Sequence, residues 1–268
     1  MSKTFQYPST PLYQQGAAPI DFAQTTPNVP YMGIYTVETT QRFVPGTRYI
    51  TWDGRVFKYY LAADTVGAGR PAGFGADVST YGIAYTTPAV SQVVGDMQVS
   101  VSSQSFAKDI LAGGMILLYG ADYTYYQQRG IIGNNYCSST TLIIDLEAPL
   151  TIDITGSSTG LEVMPNPYRY IHNGTTVSSA EMSTAGIPTT RAISGQYSWM
   201  QTWGMCNIEP GETISGSDCR QLVKRSGTFA VGLHTTENAI TLQSQHIGFI
   251  LDAGTSGTVP FVMLQISI

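Results

Sequence analysis

The chain has 268 residues, 43% of them hydrophobic, which is enough for one large domain or two smaller ones with a sizeable core. Its net charge is −5, and its 13 Lys and Arg are scattered without a run, so no basic stripe exists to neutralise phosphates and nucleic-acid binding is not expected. Charged residues make up 12%, about half the ~25% usual in soluble domains, so either other subunits cover much of the surface or Ser, Thr and Gly do the solvating.

Residues 1–45 come first and differ from the rest. They hold six of the 14 prolines, spaced too closely for regular elements, with Phe5, Tyr7, Tyr13, Phe22, Tyr31 and Ile34 between them. Disordered linkers are poor in aromatics, so an extended arm is expected, reaching at most ~150 Å. It either lies over a neighbouring surface or packs back on its own domain.

Tyr49–Trp52, then Asp53-Gly54, then Arg55–Leu61 predicts a hairpin, because Asp-Gly suits the positive φ angles of a type I′ turn. Val66–Phe74 reads as a glycine-rich loop, and Met97–Ser102 alternates strictly as a strand. Phe106–Leu111, ahead of Gly113-Gly114, is the best helix candidate at under two turns. From Leu111 to Tyr168 the pattern is short strands cut by Gly, Asn and Pro. Leu142, Ile144 and Leu146 fall on one face of an extended segment, with Thr141, Ile143, Asp145 and Glu147 on the other. Pro165-Asn166-Pro167 marks a tight turn. Thr176–Ser194 is small and polar, a long loop or an inter-domain link ahead of a second β block from Tyr197 onward. The final stretch places Val262, Leu264, Ile266 and Ile268 on one face, a strand expected to be buried or paired with another chain, since an exposed apolar edge invites aggregation. The expectation is an all-β chain with one or two β-barrel or sandwich-like domains: an extended N-terminal arm over 1–45, a β domain over 46–175 and a second over 176–268.

Residues able to do chemistry are sparse. Gly156-Ser157-Ser158-Thr159-Gly160 has the letters of a nucleophile elbow, but that turn needs a helix after it, and Leu161–Met164 runs into Pro165 instead. His172, His234 and His246 stand alone. Cys137, Cys206 and Cys219 lack metal-site spacing, and an odd, sparse set points to a reducing site of synthesis without a disulfide framework. Asp145 and Glu147 share a strand face that reads as an acidic edge before it reads as half a cation site. Gly67-Ala68-Gly69 is followed by Arg70-Pro71 and no helix, so a phosphate cradle is not expected. Trp52, Trp199, Trp203 and the 17 tyrosines supply flat faces for sugars or for protein partners. The opening MSKTFQYPSTPLYQQ lacks the apolar core of a signal peptide and no 18-residue apolar run occurs, so neither secretion nor membrane association is expected.

Several runs, taken in order, resemble those of tailed-bacteriophage virion proteins. Trp52-Asp53-Gly54-Arg55-Val56-Phe57-Lys58-Tyr59 is similar to that family's D-G-R-x-F-R-Y hairpin. Leu111-Ala112-Gly113-Gly114-Met115-Ile116 and Pro165-Asn166-Pro167-Tyr168 resemble its G-G-y-l and N-P-Y elements. Tyr197–Gly204 resembles its Y-x-W-x-Q-x-x-G strand. The resemblance covers roughly residues 50–205. It implies a structural protein akin to head decoration (cement) proteins, which sit as trimers on the major capsid protein shell and reinforce it. It carries no catalytic residue and no cofactor or metal to transfer. The expected role is therefore non-enzymatic: a homotrimer on the capsid exterior of the virion, made in the host cytoplasm, with Tyr7, Tyr13, Phe22 and Tyr31 of the arm as capsid anchors. A tail or adhesin component with a glycan-binding surface is the alternative.

Overall fold

The computed structural model describes residues 33–75, 82–120, 126–155, 159–173, 183–209, 245–252 and 259–266, and the backbone of 221–224 and 231–233. These form an all-β structure of two sheets without an α-helix. The chain begins with β1 (Arg48–Ile50), β2 (Val56–Leu61) and β3 (Ala72–Phe74). It continues through β4 (Ile83–Thr86), β5 (Gln98–Phe106), β6 (Met115–Gly120), β7 (Tyr126–Asn134), β8 (Cys137–Leu146) and β9 (Thr159–Met164). It then adds β10 (Ile171–Asn173), β11 (Thr184–Pro188) and β12 (Tyr197–Asn207), and ends with β13 (Gln221–Lys224), β14 (Val231–Leu233), β15 (His246–Asp252) and β16 (Phe261–Gln265).

Strands β4–β9 make a nearly closed, barrel-like sheet in the order β4-β9-β6-β7-β8-β5. Beyond the strands, the Ala89 amide donates to the Ser100 carbonyl and draws the two edges of this sheet together. The alternation of β8 drives this packing: Leu142, Ile144 and Leu146 are fully buried with Val99, Val101, Ile116 and Leu118, as the period-two pattern requires. All other strands belong to one ten-stranded sheet. The barrel is thus inserted between β3 and β10, which pair antiparallel with Ile171 opposite Phe74.

The spine of the larger sheet is β12. One edge pairs with β2 from Tyr197 to Trp203; the other pairs with β11 at Met200 and Gln201 and with β16 from Trp203 to Asn207. Both faces of this region are covered. Trp199, Tyr59 and Phe57 form an aromatic cluster on one side, while Tyr60 and Met200 pack among Ala62, Ala72 and Ala185 in another cluster.

Several expectations need correction. The 175/176 boundary cuts across hydrogen-bonded strands: β1–β3 and β10 lie in the same sheet as β11 and β12, because β12 has two long edges to satisfy. The arm does not extend to residue 45. Ile34 and Phe43 join the aromatic cluster and Glu38 exchanges backbone hydrogen bonds with Tyr197, so residues 33–45 cover their own sheet. The Asp53-Gly54 hairpin forms, but only Gly54 has positive φ, at 81°, and Thr51 and Arg55 bracket a three-residue loop with a bulge at the glycine. The helix candidate Phe106–Leu111 forms turns instead, with Asp109 in the left-handed region at φ 57°, which breaks a right-handed helix. The strand at the C-terminal end, by contrast, is buried as expected: Val262 and Leu264 are fully buried, and β12 and β15 of the same chain pair with its two edges. Thr176–Ser194 is no loop throughout, since β11 lies within it; residues 174–182 are outside the described residues.

The barrel meets the larger sheet at Asn166. Its side chain is 1% exposed and donates to the carbonyls of Pro45 (2.6 Å) and Ala112 (3.2 Å), while its oxygen accepts from the Tyr168 amide (3.0 Å). Gly113 leaves room for this amide: a Cβ there would lie 2.4 Å from Asn166 Nδ2, and its φ of 79° disfavours any side chain. Replacing Asn166 with Ala leaves two buried carbonyls without their donor, and a loss of about 2–4 kcal/mol is expected. Urea denaturation of the Asn166→Ala variant measures it.

Candidate partner-binding surfaces

The first surface is a groove beside the β1–β2 hairpin. The hairpin supplies Asp53 and Arg55; β12 supplies Met205, Cys206 and Asn207; β16 supplies Phe261; and Tyr35 and Pro188 complete the walls around about 510 Å³. Three of its large side chains face solvent, with Tyr35 61%, Met205 54% and Phe261 44% exposed. The groove's charges are spent on each other. Arg55 Nε donates to Asp53 Oδ2 at 2.7 Å, and Arg55 Nη1 reaches the Tyr35 hydroxyl at 3.3 Å. Partial burial opposes ionisation of Asp53, but hydrogen bonds from Thr51 and Arg55 outweigh it and hold the carboxyl below its ordinary value. The Gln201 amide is likewise used internally, donating to the carbonyls of Trp203 and Met205 at 3.0 and 2.9 Å. At the tip of the same hairpin Trp52 is 79% exposed.

The second surface is the outer face of the barrel. Tyr119 stands between Tyr85 and Tyr126 with ring centroids 6.2 Å from each, and its hydroxyl donates to Glu162 at 3.0 Å. Met115 and Met164 lie directly opposite one another on β6 and β9, both exposed. Ile132, the extra residue of a bulge in β7, also points outward. Residues 83–164 contain seven acidic and two basic side chains, so the barrel carries −5 and the remaining chain is neutral overall.

Tyr7, Tyr13, Phe22 and Tyr31 lie outside the described residues, as do Cys219, His234 and Gly156-Ser157-Ser158. Thr159 opens β9, so the elbow-like run leads into a strand and lacks the helix that chemistry needs. Gly69 sits in a turn held by the Pro188 carbonyl and leads to β3, not to a helix. His172 Nδ1 is 3.2 Å from Asp64 Oδ2, while His246 is exposed. Asp145 accepts from Gln98 and Glu147 from the Gly130 amide, so both carboxylates have partners within the fold. Among the described residues no three His, Cys, Asp or Glu side chains converge on a metal position. Tyr35, Arg55, Met205 and Phe261 come from distant segments, and no local pattern in the sequence joins them.

Cys206 in the groove wall is no nucleophile at neutral pH: burial pushes its thiol up to about 12, against a weaker opposing pull from Arg55. Burial also pushes Tyr59 up to about 12 and raises Tyr60. In the unfolded chain such groups ionise near their ordinary values, about 8.5 for Cys and about 10 for Tyr. The folded state therefore holds more protons above those values, and stability present below about pH 8.5 is lost as pH rises toward 12. Urea midpoints measured from pH 7 to 11 are expected to stay level to about pH 8.5 and then fall. Compared with known proteins, the chain matches no protein-family model, no curated protein and no solved structure.

Proposed function

We propose that this chain is a non-enzymatic virion protein that decorates a phage head, binding the outer surface of the major capsid protein shell as a homotrimer and stabilising it. The observation that carries the reading is where the phage-like runs fall in the fold. Trp52–Tyr59 builds the hairpin at the groove, Gly113-Gly114 and Asn166–Tyr168 interlock at the joint between the sheets, and Tyr197–Gly204 lies in the spine strand. A likeness made of such joints is a likeness of scaffold. The surface chemistry supports the same reading, because exposed Tyr, Met and Ile side chains on an acidic barrel suit protein contacts and disfavour contact with packaged DNA.

The mechanism is contact area. Anchors on the arm, Tyr7, Tyr13, Phe22 and Tyr31, engage neighbouring subunits while the β scaffold associates with its copies. Many modest contacts gain strength through effective concentration without a single strong site. The exposed Trp52 at the hairpin tip favours a second reading, a tail or adhesin component with a glycan-binding surface.

Purified particles analysed by quantitative gel are expected to hold this protein at a copy number comparable to the capsid protein; a handful of copies points to the tail, and absence sinks both. Deleting residues 1–30 is expected to weaken capsid binding at least tenfold with the circular-dichroism spectrum of the β scaffold unchanged. Glycan-array binding by the isolated protein is the outcome that favours the adhesin reading.

A further inference from the structure

We infer that residues 1–32 of this chain occupy the groove bounded by Tyr35, Arg55, Met205 and Phe261. The inference rests on the anchoring role given to this segment above and names the surface that receives it.

The first argument is position. Thr189 Oγ1 donates to the Ile34 carbonyl, and the Thr36 amide donates to the Gly33 carbonyl at 3.1 Å, so the chain following residue 32 is fixed at the groove wall that Tyr35 forms. Thirty-two extended residues span at most ~110 Å, ample to enter this groove or the same groove of a second copy.

The second argument is chemical match. With Asp53 and Arg55 paired and the Gln201 amide bound to backbone, the groove presents aromatic and thioether walls and no uncompensated charge. Residues 1–32 contain one Lys and one Asp, so they too are neutral, and their aromatic rings (Phe5, Tyr7, Tyr13, Phe22, Tyr31) are interspersed with five prolines. Proline-spaced segments are pre-set as extended left-handed helices, whose recognition takes aromatic-lined grooves and costs little ordering entropy. A sugar ring needs several free hydrogen-bonding groups, whereas Asp53, Arg55 and the Gln201 amide are already engaged within the fold and leave Asn207 as the exposed polar side chain of the wall.

The third argument is size. A volume of about 510 Å³ suits a few side chains and not a folded element. One proline-flanked aromatic with its neighbours is the fitting occupant.

The test uses the full-length purified protein, with a photoreactive benzophenone amino acid replacing Phe261. Irradiation and peptide mapping are expected to give adducts within residues 1–32. Adducts inside one chain and adducts between ¹⁵N-labelled and unlabelled chains both support the inference, the latter showing that arms are exchanged between copies. Adducts confined to other peptides, or none, overturn it. Independently, Met205→Glu, at an exposed position, is expected to speed chymotryptic clipping within residues 1–32 about tenfold, while Ile132→Glu on the barrel leaves the rate unchanged. Equal rates in wild type and Met205→Glu overturn the inference. Neither measurement involves a capsid, so absence of the protein from virions sinks the decoration reading alone, and a virion location with no arm adduct sinks this inference alone.

Discussion

A single buried amide ties the two halves of this structure together. Asn166, two residues past the barrel's last strand, donates to Pro45, just ahead of the first hairpin, and to Ala112, in the turn before β6. Two backbone carbonyls that would otherwise be buried without a donor are satisfied by one side chain, which a substitution cannot replace without loss. Arg169 adds a longer bond from Nη2 to the Asp109 carbonyl in the same turn. The close approach explains the paired glycines: a Cβ at Gly114 would lie 2.5 Å from the Met164 carbonyl oxygen. The barrel is thus an insertion anchored at its base.

The larger sheet obeys a different constraint. An eleven-residue strand such as β12 has more backbone to pair than any one neighbour supplies, so three other segments share it. Where partners change, the register shifts between Gln201 and Trp203, and the Gln201 side chain bridges the break by donating to two carbonyls. Residues 33–45 belong to this arrangement because the aromatic cluster around Trp199 needs a cover. The groove opens at the same break, which is why its walls come from β12, β16 and the hairpin together.

The two surfaces have separate characters. The barrel holds the whole net charge and presents rings and thioethers outward, whereas the groove lies on the neutral part of the chain with its ion pair closed on itself. Separating an acidic, apolar face from a neutral, concave one gives the protein two distinct contact chemistries.

Much of the local structure was legible in advance. Strict alternation in β5 and β8, the Asp53-Gly54 turn and the Pro-Asn-Pro break all rest on period-two burial or on backbone limits of single residues, which act over a few positions and need no partner. The details that failed were those that tertiary contacts override. Phe106–Leu111 has helical letters, yet its turn is shaped around Asn134, whose side chain donates to the Ala107 carbonyl and accepts from the Leu111 amide. The sequence by itself determined an all-β chain, its strand faces and its turn positions. Only the tertiary structure decided that the barrel is an insertion, that residues 33–45 belong to the fold, and that Tyr35, Arg55, Met205 and Phe261 share a groove. Those outcomes depend on pairing and packing between segments far apart in the chain, where no local pattern of residues records which will meet.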